Sequence, residues 1–269
     1  MKQTIVAAAA AVAFMGGSAL AADLPAKAPY YKAPQGGYFN WTGCYVGGNV
    51  GAASARGKFT TDVGSGSHLS IQTNRDRVGA AGTGSDRDTD LIGGGQVGCN
   101  FQREYFTLGV EADFSGLGSD PSIRGTGVLT TADPFTITNT VKNDWLATVR
   151  GRAGLTVDRS FIYATGGAAF SRAHYSQVYT DTLAGPTTGG FDVSKTKTGW
   201  VVGAGWEYAF THNWSVKAEY LHVSFSNLGA TGLIRAAGSG NTNVMNGTVG
   251  EHIDIVRVGL NYRFGGFYY

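Results

Sequence analysis

The stretch HIDIVRVGLNYRF, residues 252–264, carries the clearest structural signal in the chain. Alternate residues along it differ in polarity, which is the pattern of a strand whose two faces meet different surroundings. One face holds Val256, Val258, Leu260, Tyr262 and Phe264, and the other holds Ile255, Arg257, Gly259, Asn261 and Arg263. A strand of a soluble sheet alternates in the same way, so the interpretation depends on whether similar segments recur.

Similar alternating segments occur seven times before this stretch. They span residues 42–53, 91–101, 105–115, 144–157, 161–172, 198–210 and 213–225. At 11 to 14 residues, each is long enough to cross a bilayer as a tilted strand. The turns at 102–104, 158–160 and 211–212 are short. The connections at 54–90, 116–143, 173–197 and 226–251 are long, rich in Gly, Ser, Thr, Asn and Asp, and lack an apolar period.

This alternation of short turns and long loops is typical of a barrel that crosses a membrane. The sequence therefore predicts an all-β fold, an eight-stranded antiparallel transmembrane up-and-down β-barrel with short periplasmic turns and long extracellular loops. An even number of strands places both ends of the barrel on the same side as the short turns, which we expect to be the periplasmic side.

The first 22 residues, MKQTIVAAAAAVAFMGGSALAA, predict a secretory signal peptide. Their apolar run is shorter than the roughly 20 residues of a membrane-spanning helix. Residues 23–40 predict a Pro/Ala-rich periplasmic tether, and residues 41–269 the transmembrane barrel. Charged residues make up only 15% of the chain, and its net charge of +2 does not point to nucleic acid as a partner.

The positions of the charged residues predict which strand face points inward. Residues at odd positions of a strand share one face and residues at even positions share the other, and we call this property parity. In the segment 105–115, Glu111 and Asp113 share one face, while Leu108 and Val110 share the other. An Arg or Lys on the lipid face near the bilayer centre costs about 2–4 kcal/mol, so the charged face should line the lumen. The predicted lumen charge network contains Glu111, Asp113, Glu207 and Glu219 with Arg150, Arg152, Lys217 and Arg257. Because unpaired buried charges are costly, we expect these groups to pair, with Glu111 and Asp113 facing Arg150 and Arg152.

Aromatic residues near the strand ends predict two girdles at the membrane–water interfaces, where rings that are partly apolar and partly polar are favoured. The predicted girdle residues are Trp41, Phe101, Trp145, Trp200, Trp206, Tyr208, Trp214, Tyr220 and Phe264.

Four motifs resemble one protein family. WTGCYVGGNVG, YATGG, GWVVGAGWEYAF and VRVGLNYRF are similar to segments of the small outer-membrane porin and surface-antigen family of alphaproteobacteria, which has an OmpA-like eight-stranded barrel. The resemblance extends over residues 41–264. It implies a location in the cell outer membrane, with outer-membrane lipids and lipopolysaccharide as surroundings, and insertion by the outer-membrane barrel insertion machinery.

The same resemblance implies a C-terminal assembly signal on the apolar face of the last strand, made of Val258, Leu260, Tyr262 and Phe264. In the family, such strands usually end the chain at the aromatic residue, whereas residues 265–269 follow here. Either Phe264 serves as the terminal aromatic residue of the signal or Tyr269 takes its place.

Cys44 and Cys99 are the two cysteines of the chain. They fall on neighbouring predicted strands near the periplasmic end, and both share parity with apolar residues. Because the compartment is oxidising, a cross-strand disulfide is one interpretation. Two unpaired, lipid-facing thiols whose strand register does not match are the other.

No motif predicts an enzyme, a cofactor or a metal centre. The five histidines lack a neighbouring nucleophile motif of the kind that acyl transfer needs. The glycine run at 93–95 predicts a closely packed strand rather than a phosphate loop. Asp86, Asp88 and Asp90 predict a solvated loop, with a divalent cation or cation-bridged lipopolysaccharide as the alternative.

Side chains fill the interior of an eight-stranded barrel. We therefore expect an integral outer-membrane protein with a structural or surface role and a lumen plugged by charged groups. A narrow porin for small solutes is the alternative, and an adhesin or ligand-binding surface protein that acts through its long loops is a third reading. The sequence does not predict an oligomeric state.

Overall fold

The computed structural model describes residues 39–183, 185–236 and 240–264. The predicted signal peptide at 1–22, nearly all of the predicted tether at 23–40 and the terminal residues 265–269 lie outside this part of the chain. Both assignments at the N-terminus therefore stay predictions.

The described residues form ten strands and one helix. In chain order these are β1 (Gly43–Gly66), α1 (Gln72–Ala81), β2 (Gly84–Arg103), β3 (Phe106–Ser119), β4 (Ser122–Val128), β5 (Pro134–Val157), β6 (Ser160–Asp181), β7 (Thr187–Ala209), β8 (Trp214–Phe225), β9 (Leu228–Ala236) and β10 (Thr242–Phe264). In this described part, no helix is long and apolar enough to cross a membrane.

Eight of these strands close into a ring in which every neighbour is antiparallel. The order is β1, β2, β3, β5, β6, β7, β8 and β10, and β10 then pairs with β1 from Phe264 opposite Cys44 up to Asn243 opposite Gly66. The predicted all-β, eight-stranded up-and-down barrel is confirmed.

The outward face of the ring changes from apolar to polar at one height. On β10, Val258 and Val256 point outward and are 53% and 64% exposed, and Asp254 follows them on the same face. Asp254 lies opposite Ser54 of β1, which in turn lies opposite Thr89 of β2. We call this level the polar rim. Below it, exposed apolar side chains need hydrocarbon around them, as in a membrane-spanning barrel.

Most of the predicted aromatic girdle lies on this outward face, but Trp41 does not. Its side chain is 0% exposed and lies inside the lumen at the periplasmic end. The assignment of Trp41 to the membrane interface was wrong. Trp41 precedes β1, so the parity of that strand does not determine its direction.

The prediction of four long structureless loops was also wrong. Above the polar rim, β1 continues to Gly66 and β10 begins at Thr242, so the two strands remain paired. After short interruptions, β4 continues the course of β3, and β9 continues that of β8. Each strand thus continues for about ten residues, roughly 30 Å along its own axis, above the rim.

We call the barrel wall above the rim the extension, and its sequence resembles that of loops for a physical reason. Its outer face meets water, so Arg56 and Lys58 of β1 point outward where the membrane part carries apolar residues. Its inner face mixes large apolar residues such as Phe59 with small or polar ones such as Gly57 and Thr61. Hydropathy therefore does not oscillate with the period of the strand, although burial does.

Residues 67–83, which include α1, fold back into the outer mouth of the barrel, and we call them the lid. Leu69 and Val78 of the lid are buried against residues of several strands, including Ile137 and Met245. Asn243 fixes the start of the lid, because its side-chain oxygen accepts a hydrogen bond from the Leu69 backbone N–H at 2.7 Å.

Candidate functional site: the filled lumen

The inward residues of β10 show how the lumen is organised along its length. From the periplasmic end, they pass from Arg263 through Arg257 to Ile255 and Ile253, and then to Glu251, Val249 and Met245. These side chains belong to successive layers along the lumen, and Ile255 and Ile253 share one of them. The layers alternate between charged or polar contacts and apolar packing, and we describe them in this order.

An aromatic plug fills the periplasmic end. The ring of Trp41 lies 5.5 Å from that of Phe161, which lies 4.9 Å from that of Tyr163. The guanidinium group of Arg263 stacks over the rings of Trp41 and Phe39 at 5.0 and 4.7 Å, a favourable cation–π geometry.

The predicted lumen charges meet in the layer above this plug. Glu111 of β3 is central: its carboxylate contacts Arg150, lies 2.8 Å from Lys217 Nζ and 3.1 Å from Arg152 Nη1, and accepts a hydrogen bond from the Tyr45 hydroxyl at 2.5 Å. In the strand register, Glu111 lies directly opposite Arg150. A carboxylate shared by three cations at these distances is held in one position.

The remaining charges extend the network across the lumen. Arg150 also contacts Asp113 at 2.9 Å and Glu219 at 3.0 Å, and Arg257 contacts the same two carboxylates at 3.1 and 2.7 Å. Arg152 contacts Glu207 at 2.6 Å. Thus all eight predicted residues contact an opposite charge, and four acidic groups balance four basic ones. Buried ions of this kind are stable only when every partner is present.

An apolar layer that was not predicted from the sequence lies above the charge network. Its buried members come from every strand of the ring and are Ala53, Ala55, Ile92, Leu117, Leu146, Ala169, Val201, Leu221, Val223, Phe225, Ile253 and Ile255. Ile253 and Ile255 share parity with Arg257, so parity shows that they point inward. Parity does not show the height at which they meet residues of other strands.

A second buried ion pair lies above the apolar layer, at the level where the extension begins. Lys197 of β7 contacts Glu251 of β10, and Asn143 donates a hydrogen bond to Glu251 at 2.5 Å. All three residues fall at the ends of connections that were predicted as loops. The sequence signal for this ion pair is that Glu251 falls on the same, inward strand face as Ile253 and Ile255.

Further layers continue to the outer mouth. Phe59 and Tyr175 pack in an apolar cluster, and Gln177 donates a hydrogen bond to Thr61 at 2.8 Å above it. His68 of the lid lies 2.8 Å from Asp181 of β6, and both side chains are buried.

Tyr179 joins the contact between His68 and Asp181, because its hydroxyl donates a hydrogen bond to Asp181 at 2.6 Å. Burial raises the pKa of the Tyr179 phenol, and the hydrogen bond to Asp181 raises it further, so this hydroxyl stays protonated and remains a donor. His68 falls in the long connection predicted at 54–90, and its position in the mouth depends on the fold of the lid.

The two cysteines lie outside the lumen, on the outward face near the periplasmic end. Cys44 and Cys99 are directly opposite each other on β1 and β2 and form a disulfide with an S–S distance of 2.08 Å. The residues predicted for the assembly signal also point outward. Val258, Leu260 and Phe264 are exposed along the seam where β10 closes on β1.

The aspartates of the first predicted loop bind backbone groups. Asp86 accepts a hydrogen bond from the Ser122 N–H at 3.0 Å, and Asp88 accepts one from the Asp120 N–H at 2.8 Å. These bonds join β2 to the start of β4 and to the short break between β3 and β4, where the strand ladder is interrupted. Within the described residues, no group of three or more His, Cys, Asp or Glu side chains is arranged to hold a metal ion.

One histidine has partners that the sequence did not reveal. His174 of β6 lies 2.8 Å from the Ser194 hydroxyl and 2.9 Å from the Asp192 carboxylate. The three residue types are those of a hydrolytic triad, but here they lie on the outer wall of the extension. The side chains of His174 and Asp192 are 40% and 64% exposed.

Comparisons with known proteins agree with this architecture. The family model described as "Outer membrane protein beta-barrel domain" matches residues 7–264. The 31 kDa outer-membrane immunogenic protein of Brucella melitensis is 34% identical over 271 residues, which cover 98% of this chain and all of the relative. The 22 kDa outer membrane protein of Rhizobium leguminosarum is 34% identical over 158 residues, 56% of this chain and 63% of that protein.

A solved structure gives a more distant match. The attachment invasion locus protein Ail of Yersinia pestis is 13% identical, with a TM-score of 0.37, and the match covers 83% of this chain and 99% of Ail. The family match and the Brucella relative confirm the resemblance found in the sequence and the location in the outer membrane. The chain belongs to the outer membrane protein beta-barrel domain family and is an outer-membrane protein with relatives in alphaproteobacteria.

Proposed function

We propose that this protein is a closed, non-enzymatic barrel that acts as a structural and surface component of the outer membrane. The filled lumen is the observation that carries the proposal. An aromatic plug, a neutral network of eight charges, an apolar layer, a second ion pair and a lid follow one another along the barrel axis. A solute would have to displace paired ions and packed apolar side chains in turn, which is the opposite of a water-lined porin channel.

The runner-up function is a narrow porin, and planar-bilayer recording separates the two. The reconstituted protein is expected to give no stable single-channel steps at neutral pH, while a general porin reconstituted in parallel shows that the assay detects conduction. Reproducible steps of uniform size from the folded protein would overturn the closed-barrel proposal. Folding before recording is checked by heat-modifiable mobility on gels.

The exposed triad-like residues do not change the proposal. Acyl transfer by a serine requires preorganised donors for the developing oxyanion in a site that excludes water. His174 and Asp192 instead lie in solvent on the outer wall. We read Ser194, His174 and Asp192 as a polar contact between β6 and β7, which stabilises the extension.

Two partner assignments belong to this proposal. The relatives in Brucella are named immunogenic, which supports display of the extension at the cell surface, with lipopolysaccharide around it. Recognition of Val258, Leu260, Tyr262 and Phe264 by the barrel insertion machinery stays a prediction from the family resemblance. The outward, exposed position of these side chains on the closing strand supports it.

A further inference from the structure

The wall of the extension is open between β7 and β9. At the outer end the two strands pair as far as Gly190, and β7 pairs with β8 only from Gly199 toward the membrane. Between these two ladders, residues 191–197 of β7 and residues 227–232 form no ladder with each other. We call this gap the lateral slot. It lies above the polar rim, whose level on β7 is Val202.

The strand geometry shows which backbone groups of β7 point into the lateral slot. The Thr198 carbonyl accepts a hydrogen bond from the Ser226 N–H at 3.1 Å, so the backbone groups of Thr198 point away from β6. β7 pairs with β6 without a shift in register, and alternate residues of a strand direct their N–H and C=O groups to the same side. The backbone groups of Asp192, Ser194 and Thr196 therefore point into the slot. Unpaired groups of this kind form a template for a further strand.

The gap between β2 and β4 shows how the chain closes such an opening by itself. β4 pairs with β5 alone, so its other edge lacks a strand partner. There the carboxylates of Asp86 and Asp88 accept hydrogen bonds from the backbone N–H groups of Ser122 and Asp120. Among the described residues, no side chain makes an equivalent bond to the backbone of residues 191–197.

A cleft of about 430 Å³ lies at the lateral slot and continues over β9 and β10. Val193 and Lys195 of β7 line one side, and Gly229 and Thr231 of β9 line the other. Val193 also packs against the buried apolar cluster that contains Phe59, so the lumen behind the cleft remains filled. The cleft has the size of a protein ligand site and combines an apolar floor with unpaired backbone groups.

Lys195 gives the cleft a positive charge without a partner. Its side chain is exposed and, within the described part of the chain, makes no ion pair and no hydrogen bond. The neighbouring carboxylate of Asp192 lies 2.9 Å from His174 on the outer wall, and Glu251 pairs with Lys197 inside the lumen. Neither carboxylate contacts Lys195, so the cleft favours a ligand with an acidic group.

We propose that the lateral slot binds an extended, acidic peptide segment of another protein, which adds a strand to the open edge of β7. The backbone of Asp192, Ser194 and Thr196 binds the backbone of the peptide. Alternate apolar side chains of the peptide pack against Val193, and a carboxylate between them contacts Lys195. In strand addition, main-chain hydrogen bonds supply affinity and the alternate side chains supply specificity. This binding goes beyond the structural role proposed above and does not depend on the absence of conduction.

The test probes an array of capped hexapeptides, apolar at alternate positions, with the folded and labelled protein in detergent. Peptides with a carboxylate between the apolar residues should be bound. Gly229→Leu should bind them about tenfold or more weakly, because the leucine side chain fills the cleft. A Cβ atom at Gly229 would meet nothing closer than 3.9 Å, so this variant should fold. The matched control is Gly64→Leu on the outward face of β1, where the nearest atom is 3.6 Å away, and it should bind like the wild type.

Two further measurements separate strand addition from other kinds of contact. Lys195→Glu should change the preference from acidic to basic peptides, an effect that a loss of stability would not produce. N-methylation of alternate peptide nitrogens in the best-bound hexapeptide should abolish binding, because it removes the main-chain donors and keeps every side chain.

The proposal is overturned if the wild type binds no hexapeptide more strongly than Gly229→Leu does. Equal binding of the N-methylated peptide would also overturn it, because the contact would then involve side chains and no added strand. An unchanged preference for acidic peptides in Lys195→Glu would contradict the contact with Lys195. Folding of each variant is checked by heat-modifiable mobility on gels, and if Gly229→Leu does not fold, Lys195→Glu and the N-methylated peptide decide the outcome.

Discussion

Replacing Arg150 with glutamate is expected to prevent formation of the heat-resistant folded barrel. Arg150 contacts Glu111, Asp113 and Glu219 inside the lumen, so the variant removes the shared cation and adds a fourth carboxylate among them. Breaking one buried ion pair costs about 3–5 kcal/mol, and several pairs break here. Native domains are stable by only about 5–15 kcal/mol, so the folded population should largely disappear.

The matched control for this variant is Arg124→Glu, the same change on the exposed face of β4. Arg124 lies in water, where a charge reversal has little effect on stability. Heat-modifiable mobility on gels and urea unfolding in detergent measure both variants. Equal loss of folded protein in Arg150→Glu and Arg124→Glu would show that the lumen network does not stabilise the barrel.

The second large effect is expected within the glycine run at 93–95. Gly94 faces inward, and a Cβ atom on it would lie 2.0 Å from the Phe114 carbonyl oxygen and 2.6 Å from the Ser115 Cα. A side chain at Gly94 therefore has to push β2 and β3 apart. We expect Gly94→Val to cost about 3 kcal/mol or more, at the upper end of overpacking effects.

The neighbouring residue provides the control for this variant. Gly95 faces the lipid, and a Cβ atom on it would meet nothing closer than 3.7 Å. Gly95→Val should therefore fold like the wild type, since it places a β-branched side chain on an apolar, exposed strand face. The free energy of unfolding in urea separates the two variants. Comparable values for Gly94→Val and Gly95→Val would contradict the close approach of β2 and β3.

The sequence alone was enough to predict the fold and the inward direction of the charged residues. Both follow from parity, which is a local property: Glu111 differs in direction from Val110 because successive side chains of a strand point to opposite faces. Because a charged side chain is unfavourable in hydrocarbon, the charged face must be the one that lines the lumen. The membrane part of each strand was found because its outer face is apolar.

Other features depend on properties that the alternation of side chains along one strand does not determine. The register between distant strands determines the height of each side chain, so the pairing of Lys197 with Glu251 is invisible in the sequence of either strand. The extension was missed because water replaces lipid around it, which removes the apolar face from the alternation. The lid and Trp41 lie outside the ring strands, and only the tertiary fold brings them into the lumen.

The central claim is that side chains fill the lumen along its length, and the reactivity of one introduced cysteine tests it. Ala169 of β6 points into the apolar layer and is 0% exposed, whereas Arg172 on the same strand points into water above the rim. In a background with Cys44 and Cys99 replaced by serine, a small water-soluble thiol reagent should label Arg172→Cys within the folded barrel. It should label Ala169→Cys only after unfolding, and rapid labelling of Ala169→Cys in the folded protein would show that water occupies the lumen.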